Sequence, residues 1–221
     1  MGIFRNDLYK SPNVGIFAKS NDKLVLLPHG YAETKLKKIT EILEVDPIFV
    51  SIAGNRIIGP MVVLNNNGML LPSTAAEDEV VHLKQVTGLN VFKLDSKLTA
   101  IGNLISTNDK GAIVSPLFKN EFDKQIGDVL GVEAHTMSVA DFNQTGSLIV
   151  STNSGAAVHP KATEKEVEII SSVLKVEVEP LTINGGIPYL SSGIVWNTQS
   201  LIVGNLTTGP ELIMLSRAFK M

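Results

Sequence analysis

The chain of 221 residues contains no cysteine. That excludes a disulfide framework, cysteine-ligated zinc, iron–sulfur clusters and any thiolate nucleophile. Covalent staples are not needed, because a compact fold of this length buries roughly 70–75% of its unfolded surface. A long apolar run is missing as well. The longest early uncharged stretch, residues 57–76, is interrupted by Pro60 and by Asn65-Asn66-Asn67-Gly68, so it cannot form a membrane span. The Met-Gly-Ile-Phe-Arg-Asn start has no signal-peptide apolar region and no Ser/Thr at position 6 for myristoylation. A cytoplasmic protein without membrane association is expected. The sequons at Asn143 and Asn205 then carry no meaning.

Basic excess is also lacking. The net charge is −3, with Lys and Arg scattered along the chain. A protein whose affinity comes mainly from phosphate neutralisation usually shows a basic face. The 29 residues of 182–210 carry no charge at all. A surface built from them suits protein contacts better than bare nucleic acid.

What the chain does contain is a repeat. Pro28, Pro72, Pro116 and Pro160 stand 44 residues apart, with Gly204 in the fifth place. Seven residues before each comes Asn21, Asn65, Asp109, Asn153 or Asn197. Glu33, Glu77 and Glu121 follow the first three prolines by five residues, and Glu164 and Glu166 bracket the next place. A fixed period of this length indicates a repeat architecture. The Asn/Asp column sits in turn sequences, where tolerance of positive φ favours tight hairpins. Apolar runs flank the turns at 14–18 and 24–27, 61–64 and 69–71, and 148–150 and 156–158. The proline stops the second strand because it cannot donate a ladder hydrogen bond.

A helix is expected next in each unit. Thr74-Ala75-Ala76-Glu77 and Thr163-Glu164-Lys165-Glu166 have the form of capping boxes. Leu36, Ile39, Ile42 and Leu43 share one helical face, as do Val80, Leu83 and Val86. Third strands are expected near 47–51, 91–95, 135–139 and 179–183. The fifth would fall beyond Met221, and subtracting five periods places it at residues 3–7. The expected architecture is α/β: one domain over residues 1–221, with five strand–strand–helix–strand repeats. The N-terminal strand closes them into a ring that leaves no open edges.

Such a five-fold pseudosymmetric α/β propeller resembles the pentein fold. Within it, Ser51-Ile52-Ala53-Gly54-Asn55-Arg56-Ile57-Ile58-Gly59 resembles the signature of the translation initiation factor 6 family, the archaeal and eukaryotic ribosome anti-association factors. Leu98-Thr99-Ala100-Ile101-Gly102-Asn103, Val158-His159-Pro160-Lys161, Asn184-Gly185-Gly186 and Ala218-Phe219-Lys220 fit the same family over the whole chain. The short C-terminus resembles that of archaeal members. The resemblance implies a non-enzymatic, monomeric factor that needs no cofactor and acts in translation initiation and ribosome biogenesis. It would bind the large ribosomal subunit against a ribosomal protein beside the sarcin–ricin loop, with ribosomal RNA nearby, and keep the small subunit from docking. Release by a maturation factor and an elongation-factor-like GTPase is implied too.

The repeat offers a place for that contact. Gly15, Gly59, Asn103, Ser147 and Ser191 stand 44 apart at the expected starts of the first strands. All are small or neutral, so a large partner could approach closely. Ribosome contacts are expected at Gly59, Pro60, Asn103, Leu148 and Tyr189. Two readings of these positions stand at this point: the small residues could serve tight turns, and Leu148 and Tyr189 could belong to the core. Family members commonly carry a basic residue where this chain has Pro60. Other functions fare worse. Guanidino-modifying penteins use a cysteine that this chain lacks. His29, His82, His135 and His159 have no metal-ligand spacing, and His159 reads as a structural histidine. Residues 204–209 lack the lysine of a phosphate-binding loop. Lys35, Lys37 and Lys38 read as a solvated helix face. A pentein scaffold for some other protein is the remaining alternative.

Overall fold

The computed structural model describes residues 2–30 and 33–221, with the side chains of Glu33, Thr34 and Lys35 outside that description. The expectations placed on Glu33 and Lys35 therefore lie outside the described residues. The first unit runs α1 (Val14–Phe17), β2 (Lys19–Ser20), β3 (Leu24–Pro28), α2 (Glu33–Leu43) and β4 (Asp46–Val50), after the N-terminal strand β1 (Gly2–Asn6). The second holds β5 (Val63–Leu64), β6 (Gly68–Pro72), α3 (Glu77–Thr87) and β7 (Asn90–Leu94). The third holds β8 (Ile105–Thr107), β9 (Gly111–Val114), α4 (Asp123–Leu130) and β10 (Glu133–Thr136). The fourth has α5 (Thr145–Leu148), β11 (Ile149–Ser151), β12 (Ala156–Val158), α6 (Glu164–Leu174) and β13 (Val178–Pro180). The fifth has β14 (Ile194–Trp196), β15 (Ser200–Gly204) and α7 (Gly209–Phe219).

Each unit contributes one three-stranded sheet, giving a mixed α/β fold of five small sheets. In every sheet the hairpin is antiparallel and its second strand pairs in parallel with the third. The fifth sheet has the order β1-β15-β14, with Gly2 opposite Ser200 and Asn6 opposite Gly204. The N-terminal strand thus supplies the third strand of the last unit, as expected.

The central strands are buried along their whole length. This explains their near-continuous apolar runs, since both faces meet neighbours. Leu24 and Leu26 of β3 pack with Met69, Leu71, Val80 and Leu83 of the second unit. Val25 and Leu27, on the opposite face, pack with Ile39 and Leu43 of α2 and with Val195 and Ile202 of the fifth unit. Three further clusters join the second unit to the third, the third to the fourth and the fourth to the fifth. Every core is shared between two sheets.

Several expectations need correction. Residues 14–17 form a helical turn instead of a strand, and the first strands are only two or three residues long. The third strands begin one or two residues earlier than expected. The second helix starts after Ala76, and the Glu79 carboxylate accepts the Ala76 N–H at 3.0 Å, so the box at Thr74 and Glu77 does not form. The box at Thr163 and Glu166 does form. Val86 is exposed, because α3 buries only Val80 and Leu83.

The turns also work differently. None of Asn21, Asn65, Asp109, Asn153 and Asn197 has positive φ. The side chains of Asn21, Asn65, Asn108 and Asn197 instead accept the backbone N–H groups two and three residues on, and the Thr152 hydroxyl does so in the fourth unit. Side-chain turns of this kind are what Asn and Thr supply. The structural column is therefore 21, 65, 108, 152 and 197, so the unbroken 44-residue register slips by one at the third unit and returns at the fifth. Asn amides stitch the turns together: Asn21 to the Asn65 carbonyl, Asn65 to Asn108 and Asn108 to Thr152, all at 3.0 Å.

Candidate functional site

At the other end of the hairpins, the helical turns that precede the first strands converge. The Gly59 N–H donates to the Ile16 carbonyl at 3.0 Å, and the Gly102 N–H to the Pro60 carbonyl at 2.8 Å. A Cβ on Gly15 would overlap the Ser191 carbonyl, one on Gly59 the Gly15 carbonyl, and one on Gly102 the Gly59 carbonyl. The small residues at this end are required by backbone-to-backbone packing between units. With the slip included, their column is Gly15, Gly59, Gly102, Gly146 and Ser191.

The residues beside that column surround a cavity of about 500 Å³ to which all five units contribute. Asn13, Asn103, Gln144 and Ser147 give it neutral hydrogen-bonding groups, and Ile16, Ile187 and Tyr189 give it apolar ones. Among the described residues its only charged lining residue is Lys19. This side chain is 8% exposed, and its ammonium lies 4.4 Å from the centroid of the Trp196 ring. Burial lowers its pKa to about 8. Trp196 is fixed in turn by an indole N–H donated to the Ser151 carbonyl at 2.7 Å, which ties the fifth unit to the fourth.

Of the five residues expected to make contacts, Gly59, Pro60, Asn103 and Tyr189 line this one cavity. Gly59 is buried and can offer only backbone. Tyr189 is 43% exposed, and Ile57, which holds the same place in the second unit, is 44% exposed. The core reading of Tyr189 therefore fails. Leu148 is the reverse case. It is 0% exposed and packs among Val139, Ile149, Val158 and Leu174, because it ends a one-turn helix that faces inward. Its side chain cannot touch a partner.

Lys19 and Trp196 went unrecognised in the sequence. A signal for Lys19 exists: equivalent places hold Val63, Ser106, Val150 and Val195, so a charge there breaks an otherwise neutral column. His159 is buried and accepts the Lys161 N–H through Nδ1 at 3.1 Å, a structural role. Burial, with the Lys161 charge nearby, lowers its pKa. No group of three His, Asp or Glu side chains among the described residues could hold a metal ion. No helix among them is long and apolar enough to cross a membrane.

The model of the eIF-6 family matches residues 3–218. The chain belongs to that family. Among relatives of this eIF-6 family member, Translation initiation factor 6 of Nitrosopumilus maritimus is 50% identical over 219 residues, covering 99% of each chain. The proteins of that name in Cenarchaeum symbiosum and Pyrococcus abyssi are 44% and 39% identical, covering 99% of this chain and 99% and 98% of their own lengths. The family expectation drawn from the 51–59 motif and its companions is borne out.

Proposed function

We propose that this protein acts in translation initiation and ribosome biogenesis by binding the large ribosomal subunit and sterically blocking the small one. The observation that carries the reading is end-to-end likeness to proteins named Translation initiation factor 6. The geometry is compatible with it. Among its described lining residues the cavity beside Pro60, Asn103 and Tyr189 holds no charge but Lys19, exposed apolar groups stand at Ile57 and Tyr189, and Gly59 is packed backbone to backbone. Such a surface suits a protein partner with a polar rim. RNA contacts would then be peripheral, since a basic face is lacking.

In this reading the five sheets close into a single pentein ring. The shared cores and the β1–β15 pairing support that closure. The ring works as a cytoplasmic monomer without catalysis, and it leaves the subunit through the release factors that the family resemblance implies. Sucrose-gradient sedimentation with separated ribosomal subunits tests the function. Asn103 is partly exposed in the short 3-10 turn Ile101–Asn103, so Asn103→Arg is expected to keep wild-type thermal unfolding. It should lose co-migration with large subunits by at least tenfold. Undiminished co-migration of that variant would move the contact elsewhere, and a wild-type protein found with neither subunit would favour a scaffold for another partner.

A further inference from the structure

We infer that the cavity shared by the five units is a carboxylate-binding site, built to take one carboxylate on a short apolar stem presented by a protein chain. Lys19 is the reason. The residue is 8% exposed and lines the cavity, and its ammonium lies 4.4 Å from the centroid of the Trp196 ring, which lines the same cavity. Among the described residues no carboxylate lines the cavity, and no ion pair or hydrogen bond engages the ammonium. A buried charge is ordinarily paired, and one left without an anion is costly. The cation–π contact with Trp196 offsets part of that cost but cannot accept a hydrogen bond. An incoming carboxylate would supply the missing acceptor, and Asn13, Asn103 and Gln144 in the same lining carry amide N–H donors for its remaining lone pairs.

The remaining lining selects the kind of anion. A phosphodiester strand is held by several cations, and the described lining residues include one. The apolar groups of Ile16, Ile187 and Tyr189 fit instead the methylene stem of an acidic side chain or the last residue of a polypeptide. Lowering of the Lys19 pKa to about 8 agrees with an ammonium held without its anion. The inference does not depend on the large subunit being the partner, because it concerns the isolated protein.

Trp196 is the only tryptophan in the chain, so its fluorescence reports on the ring that the Lys19 ammonium faces. The full chain would be titrated with hexanoate, with hexanol as the uncharged stem and with inorganic phosphate. Saturable quenching by hexanoate is expected, at least tenfold tighter than by either control. Lys19→Met, checked for cooperative unfolding, should abolish it. Raising the pH from 7 to 9.5 should weaken hexanoate binding to the wild type by at least tenfold as Lys19 deprotonates; among the described residues Tyr189 is the only other titratable lining group, and hexanoate stays ionised throughout. Two acetylated hexapeptides then separate the sources: one with a free C-terminal carboxylate and no acidic side chain, the other amidated with a single glutamate. The one that displaces hexanoate identifies how the carboxylate is delivered. Equal binding of phosphate or hexanol, retained binding in Lys19→Met, or no response to hexanoate overturns the site. Displacement by neither peptide overturns its use by a protein chain.

Discussion

At the scale of single residues, Lys19 trades stability for its position. Its folded pKa of about 8 lies below the ordinary 10.5, so the fold bears the cost of a desolvated ammonium at neutral pH. That cost is full below about pH 8, declines as the pH rises toward 10.5, and vanishes where both states are neutral. The interval corresponds to about 3 kcal/mol, less whatever the Trp196 face returns. Lys19→Met should therefore be more stable than wild type by about 1–3 kcal/mol at pH 7 in urea unfolding, with the advantage gone near pH 10.5. An equal or lower stability at pH 7 would mean that the ammonium is better solvated than its burial indicates. Gly59 makes a contrasting residue-scale prediction. A Cβ there meets the Gly15 carbonyl, which is backbone and cannot swing away. Gly59→Ala should lose about 2–3 kcal/mol or more by overpacking, seen as a fall in Tm of roughly 5–10 °C. An unchanged Tm would show that the units can shift apart at this end.

At the scale of elements, much of the unit was legible from turn residues and helical spacing. The slip of one residue was not. Each turn carries two adjacent polar residues, such as Asn108-Asp109 and Thr152-Asn153, and either member fits the column chemically. Only the hydrogen bonds show which side chain folds back. The helical turn at Val14–Phe17 was illegible for another reason: four residues hold no readable period. The acidic column was likewise displaced. Glu79, Glu166 and Glu211 are the members that matter, because each reaches back to its helix start and also to the turn after a third strand. Glu211 is the most heavily bonded, taking the N–H groups of Thr208, Gly185 and Gly186 and the Thr182 hydroxyl. Burial alone would raise its pKa, but these donors outweigh burial and hold it below 4.5. Its contribution is thus present above about pH 4.5 and is lost as the pH falls through the depressed value. Glu211→Gln, which puts an amide N–H among donors, should cost about 2–3 kcal/mol at pH 7. The gap to wild type should narrow in acid, and a constant gap from pH 7 to pH 3 would count against the carboxylate's role.

At the scale of the whole molecule, the decisive feature is that the last sheet is completed from the other end of the chain. The sequence showed this by arithmetic, since the missing strand falls on residues 3–7. The end of the fold around the shared cavity was only partly legible, because its small residues serve packing between units, and only the folded geometry sets the Lys19 ammonium over the Trp196 ring. Closure can be tested directly. Deleting residues 1–8 would strip β1 from β15, turn a central strand into an edge, and remove Leu8 from the core shared by the first and fifth units. Such a truncation should lose cooperative unfolding or drop by more than about 15 °C in Tm. Loss of any eight core-bearing residues could do as much, so a permutant is the sharper test. The helices α2, α3 and α4 are each followed, after two residues, by their third strand, and joining Met221 to Gly2 leaves two residues between α7 and β1. A chain that starts at Lys10, runs to Met221 and continues through residues 2–9 keeps β1 beside β15 and Leu8 in its core, and moves the break to the turn at Tyr9 and Lys10. It should unfold within about 5 °C of the parent by calorimetry. A permutant as unstable as the truncation would mean that β1 does not continue from α7 as the other third strands continue from their helices, and the five units would not form a closed ring.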